Sequence, residues 1–141
     1  MILSTRGRYG VKMMLELALN FGNGAMSLKD IASKQSLSDA YLEQLVSPLR
    51  KKGLVTSIRG AQGGYELARK PEEITVGEII RILEGPLAPA DCVLEEDPEC
   101  SRADNCATRI IWEKITDGIN NVIDSITLKD MVNDYYRLNK K

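Results

Sequence analysis

Histidine is absent from the 141 residues, and only three cysteines and one tryptophan occur. Without histidine the chain cannot form a Ser/His/Asp catalytic set, and it contains no phosphate-binding loop motif, so we expect a protein that is not an enzyme. No apolar run is long enough to span a membrane, and the first residues lack the apolar stretch of a signal peptide. These absences predict a cytoplasmic protein without a membrane partner.

The net charge of −1 hides an uneven distribution along the chain. Residues 1–70 hold 11 Lys and Arg against 5 Asp and Glu, whereas residues 71–141 hold 8 against 15. A basic first half and an acidic second half are typical of a DNA-facing module joined to a regulatory part. Chance clustering of charges on solvated faces is the alternative.

Residues 27–53 predict a helix-turn-helix. Ser27 with Asp30 resembles a capping box before an amphipathic pattern over residues 28–35, and Ser38 precedes a second pattern over residues 39–52. The second helix of such a motif enters the DNA major groove. Side chains near its start are the candidate DNA contacts, namely Ser38, Tyr41, Glu43 and Gln44. An ordinary helical domain is the alternative.

Two β-type runs, residues 54–58 and 65–67, flank a glycine-rich loop and predict a β-hairpin wing. Glycine permits a turn with positive φ, and a narrow minor groove attracts an inserted arginine. The candidate DNA contacts in this hairpin are Arg59, Gly60, Gln62 and Gly63. Arg6 and Arg8, ahead of a helix predicted over residues 9–20, are candidate phosphate contacts or solvated terminal charges.

All three cysteines, Cys92, Cys100 and Cys106, lie in residues 86–106, which follow a helix predicted through residue 84 and show no helix or strand period. Clustered thiolates favour zinc or an iron–sulfur cluster, and an odd count argues against disulfides. Because histidine is absent, a fourth ligand must be a carboxylate, a backbone or hydroxyl group, water, or a group from another subunit. Metal-free redox-sensing thiols and inert residues are the alternatives.

Residues 107–126 predict one long helix whose apolar residues step by three and four, as in a coiled-coil seam. These residues are Trp112, Ile115, Ile119, Val122 and Ile126. A small winged helix offers little core for so long a helix, so we expect a homodimer through this seam; packing on the chain's own core is the alternative. A last helix follows over residues 128–138, capped by Thr127 with Asp130.

The predicted fold is mainly α with a small β wing, a winged helix-turn-helix followed by a long dimerisation helix. Its parts are a DNA-binding domain in residues 1–85, a cysteine-bearing loop in residues 86–106, and the dimerisation and C-terminal helices in residues 107–141.

Short motifs along nearly the whole chain resemble the IscR-type iron–sulfur cluster regulators, within a wider bacterial family of dimeric winged-helix repressors. The motifs are LSTRGRY at residues 3–9, YLEQL at 41–45, GLV at 53–55, RG at 59–60, GGY at 63–65, VGEII at 76–80 and CAT at 106–108. The cysteine triplet separates cluster-binding members of this family from those without a cluster.

The resemblance implies a homodimeric repressor of iron–sulfur cluster biogenesis genes that binds a double-stranded DNA operator. A cluster on the three cysteines, by analogy 2Fe–2S and supplied by the cluster assembly machinery, would alter operator choice through Glu43. The fourth ligand does not carry over, because the usual histidine position holds Arg109 and the aspartate of nitric-oxide-sensing relatives falls at Arg8. Candidates are Asp91, Glu99, Asp104 or a residue of the partner subunit. The alternative is a thiol redox or sulfur-metabolism regulator without a cluster.

Overall fold

The computed structural model describes residues 3–94 and 105–140. In chain order its helices and strands are α1 (Thr5–Leu19), α2 (Leu28–Gln35), α3 (Asp39–Lys51), β1 (Val55–Ile58), β2 (Gly64–Leu67), α4 (Val76–Glu84), α5 (Ala107–Ser125) and α6 (Leu128–Leu138). Short 3₁₀ turns lie at Pro71–Glu73 and Asp91–Val93. The predicted fold class, mainly α with a small β wing, is confirmed.

The expected start of the first helix at residue 9 is wrong, since α1 begins at Thr5. The Ser4 hydroxyl accepts a hydrogen bond from the Arg6 amide at 3.2 Å and so caps the helix end. A carboxylate from α4, described below, satisfies further amides of this first turn. The other predicted helices end within one residue of their observed bounds. The loop expected over residues 86–106 contains the 3₁₀ turn at Asp91–Val93.

The buried core is built around α1, whose Met13, Met14 and Leu17 are almost completely inaccessible to solvent. Helices α3 and α4 pack on one side of it, and α6 packs against it through Leu128 and Val132. Burial of this apolar face supplies the main stabilisation that holds the helices in place.

The wing is a two-stranded antiparallel sheet in which Val55 lies opposite Leu67 and Ile58 lies opposite Gly64. Met26, just before α2, pairs with Tyr65 through two backbone hydrogen bonds of 2.8 Å. This extra pairing joins β2 to the start of the helix-turn-helix, so the wing has a fixed position relative to α2.

Helix α5 leaves the core, and none of its 19 residues is buried. Its carboxyl end is anchored by Arg81 of α4, which donates to Asn120 at 3.1 Å and pairs with Asp124. The Val76 amide donates to the Ile126 carbonyl at 2.8 Å, which closes the same junction. No helix in residues 3–94 or 105–140 is both long and apolar enough to cross a membrane.

Candidate DNA-binding surface and cysteine segment

The turn between α2 and α3 sets the direction of α3, the candidate recognition helix. Ser36 adopts a left-handed backbone conformation with φ of 56°, and its amide donates to the Ala32 carbonyl. Ser38 then caps α3 by accepting a hydrogen bond from the Tyr41 amide at 3.2 Å. These two local features produce the sharp change of chain direction that a helix-turn-helix requires.

Helix α3 buries one face and exposes the other. Leu42 and Leu45 are inaccessible to solvent, whereas Glu43 and Gln44 between them are exposed. Ser38 is exposed at the start of the helix as well. The structure therefore places three of the four predicted α3 contacts on an open surface, and whether they touch DNA stays a prediction.

Tyr41, the fourth of these residues, is half-buried against α1. Its ring meets the Tyr9 ring edge-to-face at 5.9 Å, and its hydroxyl is hydrogen-bonded to the Thr5 hydroxyl at 3.0 Å. Tyr41 thus holds the start of α3 against the start of α1, whatever further contact it makes.

Two cations lie beside this aromatic pair. The Lys12 amine lies 5.4 Å and the Arg8 guanidinium 5.9 Å from the centre of the Tyr9 ring, within reach of a cation–π interaction. Arg8 is a predicted phosphate contact. Lys12 was not among the candidates, because it lies within the apolar pattern of the predicted first helix. Its spacing of three residues from Tyr9 is the signal that would have identified it.

Arg6 is less exposed than a free phosphate contact or a solvated terminal charge would be. Its side chain is half-buried, and its Nε donates to the Leu83 carbonyl at 3.2 Å. One edge of the guanidinium therefore links α1 to the end of α4. A phosphate contact by the other edge stays a prediction.

Glu84, the last residue of α4, stabilises the start of α1, a role that no local sequence pattern indicates. Its Oε1 accepts the Ser4 amide at 2.7 Å, the Gly7 amide at 3.3 Å and the Ser4 hydroxyl. A carboxylate at a helix amino terminus satisfies unpaired amides and opposes the positive end of the helix dipole. Glu84 thereby fixes the amino end of α1, next to the candidate DNA-binding surface.

The wing exposes Arg59 and Gln62 at its tip. Gly60 has φ of 108°, and the Gly63 amide closes the turn by donating to the Gly60 carbonyl at 3.0 Å. A Cβ at Gly63 would lie 2.2 Å from the Ile58 carbonyl oxygen, so this position excludes larger residues. The glycines therefore shape the loop that presents Arg59, and their own contact with DNA stays a prediction.

The base of the wing is tied to α4 by an ion pair. Arg69 donates to Glu78 at 2.9 Å and also to the Glu73 carbonyl. The hydrogen bond to Glu78 raises the pKa of the Arg69 guanidinium above its ordinary value. The Thr75 hydroxyl accepts the Glu78 amide at 3.1 Å and caps α4, whereas the Glu78 carboxylate binds Arg69.

Two of the three cysteines lie in the described chain. Cys92 is half-buried in the 3₁₀ turn Asp91–Val93, which contacts α5, and Cys106 is half-buried at the amino end of α5 with its Sγ 3.0 Å from the Thr108 hydroxyl oxygen. Cys100 and two carboxylate candidates for the fourth ligand, Glu99 and Asp104, lie outside the described residues.

In residues 3–94 and 105–140, no group of three or more Cys, Asp or Glu side chains could hold a metal ion. The predicted set includes Cys100, so it extends beyond these residues. The donor chemistry nevertheless fits a cluster, because two soft sulfur ligands lie on contacting segments and the third belongs to the stretch between them. At the position of the usual family histidine, Arg109 is half-buried and pairs with Glu113 at 3.5 Å.

The predicted seam of α5 is open to solvent in the single chain. Val122 is 58% exposed and Ile115 40% exposed, while the other seam residues, Trp112, Ile119 and Ile126, are half-buried. Ile110 and Ile111, outside the predicted seam, are 53% and 49% exposed. Large apolar side chains exposed along one helix mark an interaction surface.

Comparison with known proteins agrees with this geometry. The family Rrf2, described as an iron-dependent transcriptional regulator, matches residues 3–134. The regulator CymR of Bacillus subtilis is 51% identical over 131 residues, which cover 93% of this chain and 89% of that protein. The regulator IscR of Pectobacterium atrosepticum is 40% identical over 139 residues, 99% of this chain and 84% of that protein.

Two solved structures extend the comparison. T. potens IscR superimposes with a TM-score of 0.83 at 48% identity and covers all of this chain and 93% of that one. CymR, described as the global cysteine regulator of B. subtilis, gives a TM-score of 0.80 at 49% identity, over 94% of this chain and 97% of that one. The resemblance to the wider family expected from the motifs is thereby confirmed. The comparisons do not single out the IscR type, because CymR is 51% and IscR of Pectobacterium atrosepticum 40% identical.

Proposed function

The chain belongs to the Rrf2 family of transcriptional regulators, and we propose that it acts as a homodimeric repressor whose cysteine segment carries a 2Fe–2S cluster. In this proposal residues 1–85 bind the operator, residues 86–106 hold the cluster, and residues 107–141 supply the dimerisation and C-terminal helices. The cluster is received from the assembly machinery, and its presence changes which operators the dimer accepts.

Operator binding is supported by the exposed face of α3 and by the wing. Glu43 and Gln44 are exposed on α3, the helix that would read base edges in the major groove, and Arg59 is exposed at the wing tip, where it would suit the minor groove. Arg8 and Lys12 lie beside the start of α3, where cations would bind the phosphates that flank the groove.

Dimerisation is supported by α5. A 19-residue helix without a single buried residue gains little stability from packing on its own chain beyond its anchored carboxyl end, and Gly118 and Asn120 lower its intrinsic helix propensity. A second copy packed along Trp112, Ile115, Ile119, Val122 and Ile126 would bury this apolar stripe. Two copies would also place two recognition helices on one operator, as two-fold symmetric sites require.

The observation that carries the cluster is the confinement of all three cysteines to residues 92–106, with Cys92 and Cys106 on contacting segments. When bound, the cluster would link these two segments through the three sulfur ligands.

Anaerobic purification tests this proposal. The protein should be coloured, with close to stoichiometric iron and sulfide, and the visible absorption should vanish when all three cysteines are replaced by serine. Protein that stays colourless after anaerobic reconstitution with iron and sulfide, while it still binds its operator as a dimer, would refute the cluster and leave the regulator.

A thiol-based sulfur-metabolism regulator is the second candidate, and one observation favours it. CymR, which is 51% identical, is described as a global cysteine regulator. In that case the metal-free protein should change its operator affinity when its thiols are oxidised and should recover with a reductant. The cysteine-to-serine variant, the matched control, should be insensitive to both treatments.

A further inference from the structure

A cleft of about 600 Å³ opens on the side of the molecule where α1, α2 and α6 end. It is lined by Glu16, Leu19, Asn20, Lys34, Gln35, Tyr135 and Tyr136. Its volume lies in the range of small-molecule sites. It contains none of the residues assigned above to DNA binding, to the cysteine segment or to the dimer seam.

The wall of this cleft contains a buried carboxylate, that of Glu16. Within the part of the chain that the structure describes, Glu16 is the single charged side chain that is buried, with 7% of its surface exposed. Its Oε1 accepts a hydrogen bond from Gln35 Nε2 at 2.7 Å. Burying a carboxylate is costly unless its oxygens are satisfied, and among the described residues this neutral amide satisfies only part of its capacity.

The backbone around the cleft adds further negative potential. Leu19 ends α1, Gln35 ends α2, and Tyr135 and Tyr136 lie in the last turn of α6, so three helix carboxyl ends converge on one space. Each such end carries partial negative charge and favours a cation. The two tyrosine rings, 5.5 Å apart and nearly perpendicular, add ring surfaces of the kind that bind ammonium groups.

Lys34 is the cation among the described lining residues, and it lies on the rim, exposed to solvent. A ligand whose ammonium group binds the Glu16 carboxylate would therefore find a positively charged partner, the Lys34 amine, for its own carboxylate. We propose that this cleft is an effector site for a small zwitterion of the amino-acid class, bound between Glu16 and Lys34.

The site is placed to influence the helix-turn-helix. Gln35, the donor to Glu16, directly precedes Ser36, the left-handed residue of the turn between α2 and α3. A ligand that engages Glu16 acts on the residue pair that holds α2 against α1 beside this turn. A ligand bound in the cleft would thus change the orientation of α3, the candidate recognition helix, whether or not a cluster is bound.

Calorimetric titration of the full-length protein, without DNA, tests the site. The probes are the standard L-amino acids, one at a time, then the methyl ester and the N-acetyl derivative of each amino acid that binds. We expect at least one amino acid to bind saturably. Glu16→Gln, which keeps the side-chain volume and an acceptor for Gln35, should weaken that binding roughly tenfold or more, because it removes a charged partner.

Lys34→Gln supplies a second variant on an exposed position that leaves the fold intact, with Lys29→Gln on the same helix as its matched control. Lys34→Gln should weaken binding of the free amino acid but not of its methyl ester, and Lys29→Gln should change neither. Absence of saturable binding by every amino acid, or binding that both Glu16→Gln and Lys34→Gln leave unchanged, overturns the proposal. Because no operator is present, neither result depends on the proposed DNA or cluster function.

Discussion

Replacement of Glu84 by alanine should destabilise the protein by removing the carboxylate that closes the amino end of α1. Three donors lose their acceptor at once, the Ser4 amide, the Gly7 amide and the Ser4 hydroxyl. Ser4 is exposed, so water partly replaces the lost bonds. Loss of an N-terminal cap together with its charge then costs about 2 kcal/mol in the free energy of unfolding.

A conservative variant separates the hydrogen bonds from the charge. Glu84→Gln retains an oxygen acceptor at the same distance along the side chain but carries no charge, so it should lose about 0.5–1 kcal/mol, the contribution of an anion near a helix amino terminus. Glu72→Ala is the matched control, because Glu72 is exposed and should change the free energy by less than about 0.5 kcal/mol.

The measurement is urea unfolding followed by circular dichroism, at one fixed protein concentration because the proposed dimer would make stability concentration-dependent. The slope of free energy against urea should match wild type in all three variants. The reasoning is refuted if Glu84→Ala lies within the error of Glu72→Ala, since α1 would then need no carboxylate from α4.

Two further predictions concern the dimer and the wing. Ile119→Asp should convert the dimer to monomer at micromolar concentration, because it buries an unpaired carboxylate in the seam; light scattering measures this, and Asn121→Asp, exposed on the same helix, should remain dimeric. Arg59→Ala should weaken binding to every operator by about 1–3 kcal/mol at fixed salt, because it removes a minor-groove cation. Unchanged affinity relative to Lys129→Ala, a control on α6, would exclude Arg59 from the interface.

Local sequence signals were sufficient for most of the helices. Ser27 and Ser38 lie next to the amphipathic patterns that they cap, so both the start and the period of α2 and α3 are visible in a short window. Thr127 and Asp130 form the predicted reciprocal box in full. These features depend only on residues three or four positions apart.

Tertiary partners explain where sequence reasoning failed. The first turn of α1 contains glycine and no apolar period, and the carboxylate that stabilises it lies 80 residues away. Glu78 had two possible partners, its own helix start and Arg69, and only the fold decides between them. The Glu16 cleft combines residues from three helices that no sequence window shows together.

In the proposed complex Glu43 would present a carboxylate to DNA, which is strongly anionic. The side chain is exposed on α3, and among the described residues Glu43 forms no intramolecular ion pair, with Lys51 on the same helix or with any other cation. Near phosphates a carboxylate weakens binding. In the major groove, however, it can accept a hydrogen bond from cytosine and reject a base that presents an acceptor. We therefore expect Glu43 to act as a discriminator, because specificity often depends on such a repulsive group.

The change that tests this role is Glu43→Ala in protein without its cluster. If cluster loading repositions Glu43, the cluster-free variant should bind operators that wild type accepts only when loaded, because the repulsive carboxylate is gone. Competition binding of both proteins against the two operator classes measures the ratio of affinities, with Asp39→Ala, another exposed acid in the first turn of α3, as the control for a general charge effect. Equal ratios for wild type and Glu43→Ala, or an equal shift in Asp39→Ala, would show that Glu43 changes affinity without choosing between operators.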